Sequence, residues 1–411
     1  MTYKNKTLRR AAAAAAAICL AFAFAFAEET GADRLGFGTS VTVSAADDFI
    51  TVGTTAKLYY TKDASTGNVT VTKADEGNEK SIVIPETIGG GKVTAIGDNA
   101  FENCSSLTSI TLPDSLTGIG NYAFADCTAL KSIDIPKNVT SIGSCAFEFC
   151  EFLTSVSIHS DIQKIEDYSF SDCPSLTSIN IPDSVESIGE GAFHRCTSLT
   201  GIVIPKSVKT IGKGAFANCS DLTSVNIPQK VTSIGEVAFA NCTSLAGINI
   251  PDSITSIGER AFSGCTSLKA VFLPDGISIE AYAIPSGTAK ITYKKDGTSH
   301  VIITNADIGT QTSIVIPETI GGKRVICIKG AFKDCSALKS ITLPSGLMEI
   351  QASSFEGCNS LESISIPVGV VRIAGSAFKD CTSLASVDIP AYEIYINDYA
   401  FANCTALTSI D

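Results

Sequence analysis

Apolar side chains recur at fixed positions along most of this chain, in units that each match the length of the segment from Leu222 to Ser244. That unit has the sequence LTSVNIPQKVTSIGEVAFANCTS, in which about a third of the positions are apolar. In twelve such units a phenylalanine lies three residues before a cysteine. These cysteines are Cys104, Cys127, Cys150, Cys173, Cys196, Cys219, Cys242, Cys265, Cys335, Cys358, Cys381 and Cys404. Such self-similarity predicts a stack of equivalent units rather than separate globular domains.

Each unit divides into three segments with different predicted conformations. The first, L-x-x-I-x-I-P, is a short strand that ends at proline, because proline has no N–H to donate to a sheet. The second, V-T-S-I-G, alternates apolar and polar residues like a shorter extended piece closed by a glycine turn. The third, A-F-x-x-C, predicts about one helical turn with Phe and Cys on the same inward face. Stacking at about 4.8 Å per unit would then close the core.

The repeat resembles the treponemal-type leucine-rich repeat of the BspA-like family of bacterial surface and secreted proteins. The matching pattern is L-T-S-I-x-I-P-x-S-V-T-S-I-G-x-x-A-F-x-x-C, and it covers most of residues 81–411. The resemblance implies an α/β leucine-rich-repeat solenoid, with stacked parallel short strands and short helical or 3-10 turns. It also implies adhesion to host matrix proteins or to other microbes, as a property of the family.

The repeats form two consecutive arrays. The segment SIVIPETIGG occurs at Ser81–Gly90 and again at Ser313–Gly322, and a hairpin-like pattern with alternating apolar residues precedes each copy. We interpret each hairpin as a module that caps its array, which gives a capping module plus first array at residues 57–285 and a second pair at residues 286–411. The chain stops at Asp411 within another strand. Because a solenoid normally needs an end cap, we expect the natural protein to continue; the alternative is an end covered by a partner.

The N-terminal segment, residues 1–27, has the form of a secretory signal peptide. Four basic residues precede an uncharged apolar run from Ala11 to Phe26, and Ala25-Phe26-Ala27 has the small-x-small form of a cleavage site. We expect residues 1–27 to be removed, residues 28–56 to form an N-terminal linker, and the mature protein to be secreted or located at the cell surface. No later segment has the apolar length of a transmembrane helix.

Composition and charge argue against several classes of function. Thirty basic and forty-two acidic residues give a net charge of −12, and removal of the four leader bases leaves 26 − 42 = −16 for residues 28–411. This balance argues against nucleic-acid binding. His159 replaces the usual strand-ending proline, His194 and His300 stand alone in polar surroundings, all three are expected to be surface or turn residues, and tryptophan is absent. We therefore predict no catalytic residues, no cofactor site, no metal site and no enzyme activity.

The cysteines are predicted to be buried free thiols rather than disulfides. One cysteine per unit makes a row of parallel Cβ vectors about 4.8 Å apart, whereas a disulfide needs Cβ atoms about 3.5–4.5 Å apart and turned toward each other. Free cysteine packs as a small apolar side chain. Cys145 and Cys327 lie outside the row, so they are the better candidates if any thiol is reactive or paired, although simple packing is the favoured interpretation.

The outward positions of the first strand in each unit are the natural surface for recognition. They carry mostly small polar residues, whose simplest role is to solvate the sheet. The candidate ligand-facing residues are Lys131, Asp134, Asn180, Asn226, Asn249, Lys269 and Phe272. Phe272 is the only aromatic residue among them and has a second interpretation, as a cover for the junction between arrays. Tyr392 and Tyr395 form a further possible contact patch.

These features predict an adhesin-like binding protein that contacts proteins or glycoproteins on host or microbial surfaces without catalysis. Binding surfaces rich in small polar residues lack the large aromatic anchors of tight interfaces, so we expect weak or multivalent contacts. The alternative is a structural spacer or stalk within a larger surface protein.

Overall fold

The computed structural model describes residues 48–297, 299–390 and 393–410, which fall within the compact unit Asp47–Asp411. The predicted signal peptide, most of the predicted linker, Tyr392 and Asp411 lie outside the described residues. The described residues are organised as short strands joined by turns. Each repeat unit forms one rung with two strands, which we call the first strand and the second strand.

The strands follow the repeat. The first capping module and its rung contain β1 (Phe49–Val52), β2 (Ala56–Lys62), β3 (Val69–Asp75), β4 (Ser81–Val83), β5 (Thr87–Ile88) and β6 (Gly91–Ile96). Array one continues through β7 (Ser109–Thr111), β8 (Gly118–Ile119), β9 (Ser132–Ile135), β10 (Ser141–Ile142), β11 (Ser155–Ile158), β12 (Lys164–Ile165), β13 (Ser178–Ile179), β14 (Ser187–Ile188), β15 (Gly201–Ile202), β16 (Thr210–Ile211), β17 (Ser224–Asn226), β18 (Ser233–Ile234), β19 (Gly247–Asn249), β20 (Ser256–Ile257), β21 (Ala270–Pro274) and β22 (Ser278–Ile279). The second capping module and its rung contain β23 (Ala289–Asp296), β24 (His300–Asp307), β25 (Ser313–Val315), β26 (Thr319–Ile320) and β27 (Lys323–Ile328). Array two ends with β28 (Ser340–Thr342), β29 (Glu349–Ile350), β30 (Ser363–Ser365), β31 (Arg372–Ile373), β32 (Ser386–Asp388), β33 (Tyr395–Ile396) and β34 (Ser409–Ile410).

Successive rungs stack in parallel and in register. First strands pair with first strands, as in Ser224 opposite Gly247, and second strands pair with second strands, as in Ser187 opposite Thr210. The two members of each pair lie one sequence repeat apart, so the sequence period is also the structural period. The chain is thus a leucine-rich-repeat β-solenoid of stacked parallel strands.

The predicted helical or 3-10 turns, and with them the α/β class, are not confirmed. No residue of the described ranges lies in a helix; the A-F-x-x-C segments are successive tight turns. In one rung the N–H groups of Tyr122, Phe124 and Asp126 donate to carbonyls of the next rung at 2.8–3.0 Å. Tyr122 and Asp126 also have φ near +55°, which no α-helix contains. In this segment every second backbone N–H therefore donates to a carbonyl of the neighbouring rung, and not to a carbonyl within a helix.

The core is a set of ladders that run along the stack. The repeat phenylalanines from Phe101 to Phe262 stack with ring centroids 5.1–5.7 Å apart, and Phe332 to Phe401 do the same in array two. Each repeat cysteine that follows the first in its array donates its S–H to the phenylalanine carbonyl one rung earlier, as in Cys219 Sγ to Phe193 O at 3.1 Å. The described cysteines are free, and all except the half-buried Cys404 are buried, which confirms the predicted thiol packing.

The two capping modules are antiparallel hairpins, as predicted. In the first, β2 pairs antiparallel with β3, and β3 pairs in parallel with β6. In the second, β23 pairs antiparallel with β24, and β24 pairs in parallel with β27. The second hairpin is joined to both arrays, because β23 also pairs in parallel with β21 of array one. One sheet therefore runs from the first strands of array one into the second strands of array two.

The buried apolar residues form two clusters on opposite faces of this shared sheet. Val271 belongs to the cluster that extends from Ala56 to Ile284, whereas Phe272 belongs to the cluster that continues from Ala289 to Ala400. Phe272 and Ile291 are register partners, so they point to the same side of the sheet. The core of array two consequently covers the outward face of β21, which is the final first strand of array one.

Candidate functional site

The outward face of the first strands in array one, here called the first-strand face, remains open in its N-terminal part. Lys131, Asp134, Asn226 and Lys269 are exposed, and Asn249 is half-buried. Asn226 and Asn249 are register partners, whereas Lys131 and Asp134 lie several rungs away from them. The structure thus does not bring the predicted residues together into one site.

Phe272 is not ligand-facing. Its side chain is 5% exposed and packs in the core of array two. The physical reason is the shared sheet: a position that points to solvent in other rungs here points into the second core. The interpretation of Phe272 as a cover for the junction is the correct one.

Asn180 has a structural role. Its Oδ1 accepts the N–H of Ile158 at 2.7 Å, and its Nδ2 donates to the Ile158 carbonyl at 2.8 Å. The Asn180 side-chain amide thus takes the place of a strand backbone as the hydrogen-bond partner of Ile158. Among the described strands, the pairing of successive first strands is interrupted between β13 and β15. Threonines of the same face are also committed to the backbone, as in Thr223 Oγ1 to the Thr200 carbonyl at 3.1 Å. Some of the small polar side chains on the first-strand face therefore stabilise the sheet through hydrogen bonds to its backbone.

Asp134 lies in a depression of about 410 Å³, here called the Asp134 depression. Its carboxylate contacts His159 Nε2 at 2.7 Å, and the two side chains remain 76% and 58% exposed. The described strand ladder is interrupted between β7 and β9, which opens the sheet at this point. The remaining lining residues are Ile110, Thr111, Leu112, Asp114, Pro136 and Lys137.

The local sequence explains this depression. His159 occupies the position at which most rungs have proline, so its N–H can donate to the Ile135 carbonyl at 3.1 Å. This bond lengthens the pairing of β9 with β11 and places the imidazole beside Asp134. The replacement of proline by His159 is visible in the sequence, which predicted a surface or turn residue there. The available signal for the contact was that His159 is equivalent to Pro136 of the preceding repeat, so it lies in the stack beside the strand end that carries Asp134.

The depression has an apolar floor and a charged rim but no arrangement for covalent chemistry. Ile110 and Leu112 are buried, while Asp114, Lys137 and the Asp134–His159 pair are open to water. Within the described ranges no group of three His, Cys, Asp or Glu side chains could hold a metal ion. Such a surface can bind a polar or charged side chain of another molecule.

The repeat architecture defines a leucine-rich-repeat solenoid, and comparison with known proteins identifies its family. Residues 75–200, 186–296 and 309–411 match the model of the BspA type leucine rich repeat region. The chain therefore belongs to the BspA-type leucine-rich-repeat family of bacterial surface proteins, as its repeat pattern predicts. No enzyme family is indicated, and comparison with curated proteins gives no match.

Several solved structures are similar in sequence. A leucine rich cell surface protein from Faecalibacterium prausnitzii is 31% identical over 90% of this chain and 96% of that chain, with a TM-score of 0.41. A leucine-rich repeat protein from Bacteroides ovatus is 26% identical over 86% and 92%, with a TM-score of 0.45. The T. pallidum leucine rich repeat protein is 31% identical over 51% and 87%, with a TM-score of 0.36. In the part of the chain that the structure covers, no helix has the length and hydropathy needed to cross a membrane.

Proposed function

We propose that this protein is a secreted or cell-surface binding protein that contacts other proteins, in the manner of an adhesin, and catalyses no reaction. The partners are proteins or glycoproteins on host or microbial surfaces. The proposal is supported by the family and by the open first-strand face, in which the Asp134 depression offers an exposed carboxylate and the His159 imidazole beside it over an apolar floor. The same proposal includes the predicted signal peptide, residues 1–27, and the predicted boundary between the two arrays after residue 285.

The burial of Phe272 narrows the proposed contact surface. The second capping module covers the outward face of β21, whereas the N-terminal rungs of the first-strand face lie away from this cover. We place the partner contact there, around Lys131 and Asp134. Exposed charges at an interface set specificity and association rate, so the contact should weaken with salt.

The test is binding of the mature chain, residues 28–411, to immobilised matrix proteins, mucins and bacterial surfaces. The double variant Asp134→Ala/His159→Ala should weaken saturable binding by about tenfold. The matched control, Glu186→Ala/Lys209→Ala, removes an exposed salt bridge in which the two charged atoms are 2.7 Å apart. These two residues lie directly before the second strands β14 and β16, away from the first-strand face. Equal loss in both variants would show that the Asp134 depression is not the contact surface.

The alternative function, a structural spacer, is favoured by one feature, the tight joint between arrays. Tyr293 donates its hydroxyl to the Ile250 carbonyl at 2.7 Å, and Asp252 contacts both Lys295 and Lys323. A joint of this kind suits a rigid stalk. Absence of binding to every surface by a folded mature chain would support the spacer over the adhesin.

A further inference from the structure

The second capping module carries a charge that differs from the rest of the chain. Residues 290–329 contain six Lys or Arg and three Asp or Glu, so their charge is 6 − 3 = +3, although the whole chain carries −12. The equivalent residues 57–97 of the first module contain five of each and are neutral. Because the two modules share one fold, the excess positive charge is not required by the hairpin itself.

Part of this charge surrounds a second depression, of about 280 Å³, on the hairpin. It is lined by Lys294, Lys295, Ile302, Thr304 and Lys329, and we call it the lysine depression. The first module has Thr61 and Gly97 where the second has Lys294 and Lys329, and only Lys62 matches a lysine of the depression. Two of its three cations are therefore specific to the second module.

The carboxylates nearby do not neutralise these cations fully. Lys294 contacts Asp275 at 3.1 Å, and Lys295 shares the single carboxylate of Asp252 with Lys323. Lys329 is exposed and has no salt bridge among the described residues. The carboxylates of Asp296 and Glu349 lie near Cys327 together with Lys329, but neither makes a salt bridge to a lysine of the depression in the described part of the chain. The Lys329 ammonium is therefore the cation that an anion from solution can pair with.

We propose that the lysine depression binds an anionic polysaccharide, through a sulfate or carboxylate group of one of its sugars. Lysine ammonium groups bind such anions as point charges. An acidic protein segment fits less well, since acidic motifs are typically bound by clusters of arginine, the cations of the depression are lysines alone, and addition of a strand to a sheet edge is closed. Here β23, β24 and β27 are each paired on both sides. This ligand class and site go beyond the protein contact proposed at the Asp134 depression.

The test uses the mature chain and heparin as the sulfated probe, with desulfated heparin, polygalacturonate and inorganic sulfate as further probes. Heparin should bind with an affinity that falls as salt rises. The double variant Lys294→Thr/Lys329→Gln, which restores the first module's residue at position 294, should bind at least about tenfold more weakly. The control Lys206→Gln/Lys230→Gln removes two exposed lysines of array one and should change binding less than about twofold.

The comparison of probes identifies the chemical group. Binding of heparin and not of desulfated heparin assigns a sulfate, and binding of polygalacturonate assigns a carboxylate. Circular dichroism melting checks that the variants are folded, and Lys329→Glu at the same exposed position should abolish binding. Absence of polysaccharide binding, equal loss in the control, or a preference for polyglutamate over every polysaccharide would overturn the proposal. The Asp134→Ala/His159→Ala variant should retain heparin binding, which separates this outcome from that of the protein contact.

Discussion

The phenylalanine ladder makes array one sensitive to a single truncation in its middle. Phe216 is fully buried and stacks on Phe193 and Phe239, with both centroid distances 5.3 Å. Truncation of a buried phenylalanine costs about 3–5 kcal/mol, and loss of two stacked pairs, at about 0.5–1.5 kcal/mol each, places Phe216→Ala toward the upper end. Since natural domains are stable by only about 5–15 kcal/mol, we expect array one to lose much of its stability.

The assay is urea unfolding monitored by circular dichroism, together with hydrogen exchange to locate the opened rungs. A solenoid is held together by neighbouring contacts, so exchange should rise first in the rungs that flank Phe216, while array two, with its own core cluster, stays protected. Phe152→Ala is the matched control because its side chain is 60% exposed, and it should cost less than about 1 kcal/mol. Equal destabilisation by the two variants would refute the stacked-core reasoning.

Three further outcomes are expected. Burial raises the pKa of both Cys219 and Cys358 to about 12, so iodoacetamide at pH 8 should label them only after unfolding, as mass spectrometry would show; rapid labelling of the folded chain would contradict their burial. Asp252→Ala should cost about 1.5–3 kcal/mol in urea unfolding, because this 11% exposed carboxylate pairs with Lys295 and with the mostly buried Lys323. Asp275→Ala, which breaks an exposed salt bridge to Lys294, should cost at most about 1 kcal/mol, and similar costs for the two variants would argue against the joint. Burial raises the pKa of Glu148 from 4.5 to about 7, so the folded state keeps a proton that the unfolded state loses, and stability should fall as pH rises from 4.5 to 7. Glu148→Gln should remove this dependence and stabilise the chain by about 2–3 kcal/mol at pH 8, and an unchanged pH profile would show that Glu148 is not the cause.

The repeat architecture was accessible from the sequence because every rung repeats the same local chemistry. Leucine, isoleucine, phenylalanine and cysteine at fixed offsets define the inward positions, and proline marks the strand end. The turns were less accessible, since A-F-x-x-C has suitable spacing for a helical turn. Whether an N–H such as that of Phe124 bonds within its own rung or to Ala146 in the next is decided only when rungs stack.

The candidate surfaces depended still more on the tertiary structure. Alternation along a strand correctly placed Phe272 opposite the first core, but only the pairing of β21 with β23 reveals a second core on that side. His159 reaches Asp134 from the next rung, and three lysines of the second module line one depression, for the same reason. Periodicity determines which side chains point inward within a rung, because that is a property of local backbone geometry. Which outward side chains meet depends on long-range register and on how the two arrays join, and those contacts leave no local pattern in the chain.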